Sequence, residues 1–214
     1  MNSNVKRALI ELKEGKMIVL YDEDKREGEA DLIFHAASVN PEKIETLRRH
    51  AGGLICLAIG KNIAERLNLP FISDVLASNQ TAAKMIVKKT AYGDKPAFSI
   101  AINHKSVYTG IPDNDRALTI REFAKIINEN NRIEGKFVNN FYTPGHVFLL
   151  IDRGLEVRRG HTELSIELAK RSGLSEAMVL CEMLGEGKAL SKKAAMEYAK
   201  SRNLVFLEGR EIYG

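Results

Sequence analysis

Apolar runs of strand length and stretches of helical periodicity are mixed along most of the chain. Residues 5–14 read as a short helix closed by Gly15, and residues 17–21 form a continuous apolar run of strand length. A dense charged stretch, residues 22–31, separates that run from a second buried strand at 32–36. Asn40-Pro41-Glu42 carries three helix-start signals: an N-cap, proline at the first helical position and an acid in the first turn. This helix should reach Ala51, where Gly52-Gly53 stops it. Further strands are predicted at 54–59, 98–103, 147–151 and 204–207, with a strand or buried segment at 177–184. Further helices are predicted at 61–67, from a Thr162 cap to 171, and at 191–201. Another should follow the capping box Thr119-x-x-Glu122 through Phe123, Ile126 and Ile127. Residues 72–97 show no period and read as irregular. Helices and strands mix without a regular βα repeat, and no Gly/Ser or Pro linker divides the chain. The expected architecture is one α+β domain over residues 1–214, a mixed β-sheet flanked by helices.

Composition narrows the class of function. With 214 residues, 44% hydrophobic and 28% charged, the chain has the make-up of a soluble globular protein able to bury a core. The net charge of +4 is spread among both signs, with no Lys/Arg block, so no nucleic-acid partner is expected. No apolar run reaches the roughly 18 residues of a membrane span, and the N-terminus lacks the apolar core of a secretory signal. Cys56 and Cys181 stand alone, without CxxC spacing. That argues against zinc or a disulfide framework and for a reducing, cytoplasmic setting.

Five constellations carry candidate chemistry. Residues 22–31, Asp-Glu-Asp-Lys-Arg-Glu-Gly-Glu-Ala-Asp, place six acids between two apolar strands. Mg²⁺ binds through one or two carboxylates and keeps waters, and Arg26 can grip a carboxylate or phosphate in bidentate fashion. A solvated hairpin tip has the same composition, although Gly28 favours a shaped turn. Arg158-Arg159-Gly160-His161-Thr162-Glu163 lies at a predicted helix start. Helix N-termini attract anions, Gly160 lets backbone approach a phosphate, and His161 can bind metal or move protons; a plain basic N-cap is the alternative. His146, in Thr143-Pro144-Gly145-His146, is either a general acid/base candidate or a structural histidine. Glu182 interrupts an apolar run, as a buried proton-transfer group or as an edge-strand acid facing water. Residues 109–116, Thr-Gly-Ile-Pro-Asp-Asn-Asp-Arg, form a polar turn suited to phosphate binding or to structure alone. His35, His50 and His104 lack supporting neighbours and read as structural or surface residues. Together the five describe a phosphosugar-type site with a metal loop, an anion turn and two acid/base groups.

Residues 22–29, 52–56, Thr109-Gly110 with Asp115-Arg116, 144–147, 160–163 and Cys181-Glu182, in that order, resemble the 3,4-dihydroxy-2-butanone 4-phosphate synthase family. The resemblance covers nearly the whole chain. It implies an α+β homodimer with active sites near the subunit interface. It implies a carbon–carbon lyase of riboflavin biosynthesis that converts D-ribulose 5-phosphate to L-3,4-dihydroxy-2-butanone 4-phosphate and formate. Mg²⁺ is the implied cofactor, with Mn²⁺ able to substitute. Glu27 and His161 match the metal ligands. Arg26, Glu27, Asp31, Thr109, Arg158, Gly160, His161 and Thr162 match substrate contacts. His146 and Glu182 match catalytic positions, with Glu29 and Asp22 as further acids of the loop. Cys56 matches a cysteine near the site rather than a nucleophile. Lys25 stands where an acid is common, and Pro112 replaces a small hydroxyl residue. Many relatives add a GTP cyclohydrolase II domain; 214 residues leave no room for it, so a monofunctional chain is expected.

Overall fold

The apolar runs at the centre of the sheet become strands buried on both faces. The computed structural model describes residues 2–88, 90–129 and 132–214. Its strands are β1 (Ile18–Tyr21), β2 (Ala30–His35), β3 (Cys56–Ile59), β4 (Phe98–His104), β5 (Phe141–Ile151), β6 (Ala177–Glu182) and β7 (Phe206–Glu208). They form one sheet in the order β4-β5-β3-β6-β2-β1-β7. The β1/β7 and β3/β5 pairs are parallel and the other four antiparallel, so the sheet is mixed, as expected. The helices are α1 (Ser3–Lys13), α2 (Pro41–Thr46), α3 (Lys61–Arg66), α4 (Ile72–Leu76), α5 (Gln80–Met85), α6 (Asp113–Ile127), α7 (Ile133–Asn140), α8 (His161–Ser172), α9 (Lys192–Ser201) and α10 (Gly209–Tyr213).

Successive strand residues point to opposite faces, and each face has its own core. Val19, Leu32, Phe34, Leu57, Val179 and Leu149 pack with residues of α2, α3, α6, α7 and α9. Ile18, Leu20, Ile33, Cys56, Leu180 and Leu150 pack with α1, α8 and α10. This two-sided burial is why strands read as unbroken apolar runs. It also makes Asp31 and Glu182 conspicuous: they are register partners on β2 and β6, polar groups where the α8-side core gives out.

Several boundaries differ from the sequence reading. The helix capped by Asn40 is short and continues as a π-helical turn, Leu47–Ala51, ended by Gly52 at φ +88°. The capping box at Thr119 is not a helix start. Helix α6 begins at Asp113, where Asp113 and Asp115 favour the N-terminus, and Thr119 lies inside it, accepting from the His104 amide at 3.1 Å. Strand β5 begins at Phe141, six residues earlier than predicted. Residues 72–97 are not wholly irregular: they hold α4 and α5, two short helices with no buried residue. Helices α7 and α10 have no counterpart in the sequence reading.

Candidate active site

The loop between β1 and β2 is folded by one of its own carboxylates. Asp22 accepts from the Glu27 amide, the Glu29 amide and Arg26 Nη1, each at 3.0 Å. With its oxygens committed to the turn, Asp22 is the internal brace of the loop. Glu27, Glu29 and Asp31 are thereby turned into a cavity of about 410 Å³, whose other walls include Cys56, Tyr92, Arg158, His161, Thr162 and Glu182. The charged stretch is a shaped wall rather than a solvated hairpin tip.

The opposite wall is the start of α8. Gly160, not Thr162, is the N-cap, and His161 and Thr162 are the first two helical residues, both buried. His161 Nε2 donates to the Glu29 carbonyl at 3.1 Å. A neutral ring so oriented keeps its lone pair on Nδ1, which stands 3.3 Å from Glu27 Oε2. Burial pushes the Asp31 carboxyl up, against the pull of His161. Burial alone would push Glu27 up too, but the His161 contact and the Arg26 charge outweigh it and bring it down to about 2. Burial also disfavours the charged imidazole; the Asp31 charge and the Glu27 contact prevail and raise His161. Both shifts favour an imidazolium–carboxylate pair, in which a divalent cation would take the place of the imidazolium proton. Asp22, Glu27 and His161 offer ligand atoms within 4.8 Å of one another. Because Asp22 is already used by three donors, Glu27 and His161 are the pair left to hold an ion. The carboxylate oxygens suit Mg²⁺ or Mn²⁺, with the His161 imidazole as the single nitrogen donor beside them.

Two arginines form the cationic end. Arg26 bonds Asp22 at 3.0 Å, Glu27 at 3.1 Å and Asp94 at 2.8 Å, and its guanidinium lies 4.7 Å from the Tyr92 ring centre. Arg158 is held by Glu163 at 2.6 Å and has Asp94 at 3.9 Å. Their side chains are only 8% and 9% exposed, yet among the described residues Arg26 Nη2 and Arg158 Nε have no hydrogen-bond partner. Buried unpaired donors of this kind call for an acceptor, and a multi-oxygen anion supplies it. A side chain at Gly160 would overlap Arg158 Nη1 and stand 2.7 Å from Arg26 Nη2, so glycine keeps the guanidiniums together beside the helix N-terminus.

On the sheet side, Glu182 and Asp31 face the same cavity, which Cys56 also lines. Burial pushes the Cys56 thiol well up, which keeps it protonated and inert. Thr109 and His146 do not line this cavity. They belong to a separate cluster around the buried amide of Asn103, which donates to Tyr142 Oη at 2.9 Å, His146 Nδ1 at 3.1 Å and the Thr109 carbonyl at 3.4 Å. His146 is exposed, and a donor at Nδ1 leaves the proton on Nε2.

Tyr92, Asp94 and Glu163 were not singled out in the sequence. The first two lie in the stretch without period, where only the turn residues Tyr92-Gly93-Asp94 hint at order. Glu163 was in view only as the last residue of the 158–163 helix-start segment, with no role of its own. A larger cavity of about 710 Å³ under α4 and α5 is lined mainly by apolar side chains with Asp74, Lys88 and Lys95 at its rim, and has no such convergence of ligands.

A mixed sheet with hard cation ligands set against a buried arginine pair is the frame of an enzyme for a small anionic molecule. A family model described as 3,4-dihydroxy-2-butanone 4-phosphate synthase matches residues 6–214, and the chain belongs to that family. The enzyme of that name from Methanosarcina mazei is 46% identical, over 99% of this chain and 90% of its own length. The one from Archaeoglobus fulgidus is 39% identical, over 94% and 88%. A crystal structure of a 3,4-dihydroxy-2-butanone 4-phosphate synthase in complex with two magnesium ions superposes with a TM-score of 0.76 at 27% identity, over 97% of this chain and 93% of that one. The two-domain enzyme of A. baumannii superposes with a TM-score of 0.78 at 28% identity; this chain spans 97% of itself and 56% of that protein.

Proposed function

We propose that the chain converts D-ribulose 5-phosphate to L-3,4-dihydroxy-2-butanone 4-phosphate and formate, a carbon–carbon lyase step of riboflavin biosynthesis. The observation that carries this reading is the juxtaposition of Glu27 Oε2 and His161 Nδ1, 3.3 Å apart, with two buried arginines that retain unpaired donors. Mg²⁺ is the proposed cofactor, with Mn²⁺ able to substitute. The relative crystallised with two magnesium ions and the oxygen-rich donor set of this chain support it. When bound, the ion supplies Lewis-acid polarisation of the substrate's oxygens.

The rest of the chemistry falls to the chain. Arg26, Arg158, Gly160 and the Thr162 end of α8 take the phosphate. The carbonyl beside C3 acidifies that proton, and Glu182, which lines the cavity, is the base proposed to remove it. Water leaves C1, the skeleton rearranges, and C4 departs as formate with water returned, so atoms balance without a second substrate. Several proton transfers are needed. Asp31, whose carboxyl burial pushes up to about 8, is able to carry a proton at neutral pH, and Glu29, also pushed up by burial, faces the same cavity. His146, with its proton on Nε2, shares the transfers in this reading.

His146 and Thr109 lie outside the cavity of their own chain, so they act across a homodimer interface, each reaching the partner's site. The two free, buried cysteines suit the cytoplasmic setting proposed for the dimer. Among the described residues no helix is long and apolar enough to cross a membrane.

The test is formate release from ribulose 5-phosphate with Mg²⁺, its loss on EDTA treatment, and its loss in Glu27→Ala and His161→Ala proteins of unchanged circular dichroism. A pentose phosphate isomer in place of formate would mean an isomerase. Near-normal turnover in both variants would remove the metal assignment.

A further inference from the structure

We propose that Gly53 and the amide of Leu54 form a positioning device for Glu182, a side-chain-free backbone step that pins one carboxylate oxygen. The inference rests on reading Glu182 as a proton-transfer group.

Strand β6 ends at Glu182. On one side it is paired from Met178 to its end, Asp31 of β2 standing opposite Glu182. On the other side β3 starts only at Cys56, opposite Leu180, so the end of β6 has no strand beside it there. The turn after the π-helical segment fills the gap. Gly52 bridges Met183, the Gly53 amide donates to the Glu182 carbonyl at 3.0 Å, and the Leu184 amide returns to the Ala51 carbonyl at 2.8 Å. This draws the backbone of Gly53 directly under the Glu182 side chain. A Cβ at Gly53 would overlap Glu182 Oε2 and stand 2.7 Å from its carbonyl oxygen and 2.8 Å from its Cβ. Two of these three neighbours belong to a paired strand end and cannot swing aside. The requirement at Gly53 is therefore room; Gly52, in contrast, carries the left-handed φ of +88°.

The room is used at once. The Leu54 amide donates to Glu182 Oε2 at 2.7 Å, a charge-assisted bond. Among the described residues Oε1 makes no hydrogen bond, so the carboxylate is anchored at one oxygen while the residue lines the cavity. A base held this way meets the reacting carbon in one orientation, and displacing it by about 1 Å costs on the order of 10²-fold in rate.

The experiment is a double-mutant cycle on formate release. Gly53→Ala should lower kcat on the order of 10²-fold with KM within about twofold, because phosphate recognition lies elsewhere. In a Glu182→Gln background, assayed at enzyme concentrations high enough to keep its residual formate release measurable, Gly53→Ala should add no further loss. Glu182→Asp leaves the turn untouched but is one methylene too short for the Leu54 amide, and should lose kcat to a similar degree. If Gly53→Ala does not fold, Glu182→Asp alone decides. A wild-type kcat in Gly53→Ala or Glu182→Asp overturns the proposal, as does a full Gly53→Ala loss added on top of Glu182→Gln. Undiminished activity of Glu182→Gln would instead remove the catalytic reading of Glu182, and this proposal with it.

Discussion

Glu163 does not line the cavity, yet it shapes the cationic wall. Its carboxylate is buried and bonds Arg158 at 2.6 Å, the Gly160 amide at 3.2 Å and the Arg153 amide at 3.2 Å. Burial pushes its pKa up and Arg158 opposes that. Replacing it with glutamine keeps the shape but removes the charge that orients Arg158. Bonds to charged groups contribute about 1.5–3 kcal/mol, so Glu163→Gln should raise KM for the phosphosugar roughly tenfold or more while kcat changes much less. Steady-state kinetics measure the split; an unchanged KM would show that Arg158 is oriented without it. At this scale the sequence displayed chemistry but not allegiance. Asp22 and Glu27 are both acids of one loop, five residues apart. Only the hydrogen bonds of the folded turn show that Asp22 braces the loop while Glu27 faces His161.

Elements hold the site by their ends. His35 closes β2 and its Nε2 lies 3.0 Å from the Ser175 carbonyl, just ahead of β6. The carbonyl can only accept, so this nitrogen carries the proton. Burial lowers the His35 pKa below the ordinary 6.5, with the Ser175 carbonyl opposing. The unfolded chain then binds more protons than the folded one in the window below 6.5, and stability must fall as pH drops through it. His35→Gln should flatten the fall of Tm between about pH 6.5 and 5, although it lowers Tm at neutral pH. A slope equal to wild type would show that His35 does not titrate there. On the other sheet face, Phe123 of α6 meets Phe137 and Phe141 with ring centres 5.9 and 6.2 Å away. Phe123→Ala should cost about 3–5 kcal/mol in urea unfolding, since the ring is fully buried. Helix α6 was legible from its apolar period but not its start, because a Thr-x-x-Glu pair inside a helix looks like one at its beginning. The helices α4 and α5 were not legible, having no buried face to impose a period.

For the whole molecule, the separation of His146 from the cavity is the feature with the largest consequence. If each site borrows His146 and Thr109 from a partner, Glu27→Ala and His146→Ala damage different halves of a shared site. Each homodimer should be inactive. Dissociating and reassociating an equimolar mixture should give mixed dimers with one intact site, about a quarter of wild-type activity per chain. No recovery, with dimer exchange verified by mass, would place His146 outside the reaction. Metal removal should act on the same scale: EDTA should abolish turnover and added Mg²⁺ restore it, while the two-sided core keeps the fold without the ion.

The sequence by itself determined the mixed sheet of an α+β fold, most of the longer helices, and the residue types of the site, because burial on both faces leaves long apolar runs and a dense acidic loop stands out against them. The tertiary structure alone decided which groups meet. Glu27 and His161 are 134 residues apart and 3.3 Å apart in space, and Gly53 lies under Glu182 across 129 residues of chain. Such meetings are set by strand order and register, which local periodicity does not encode.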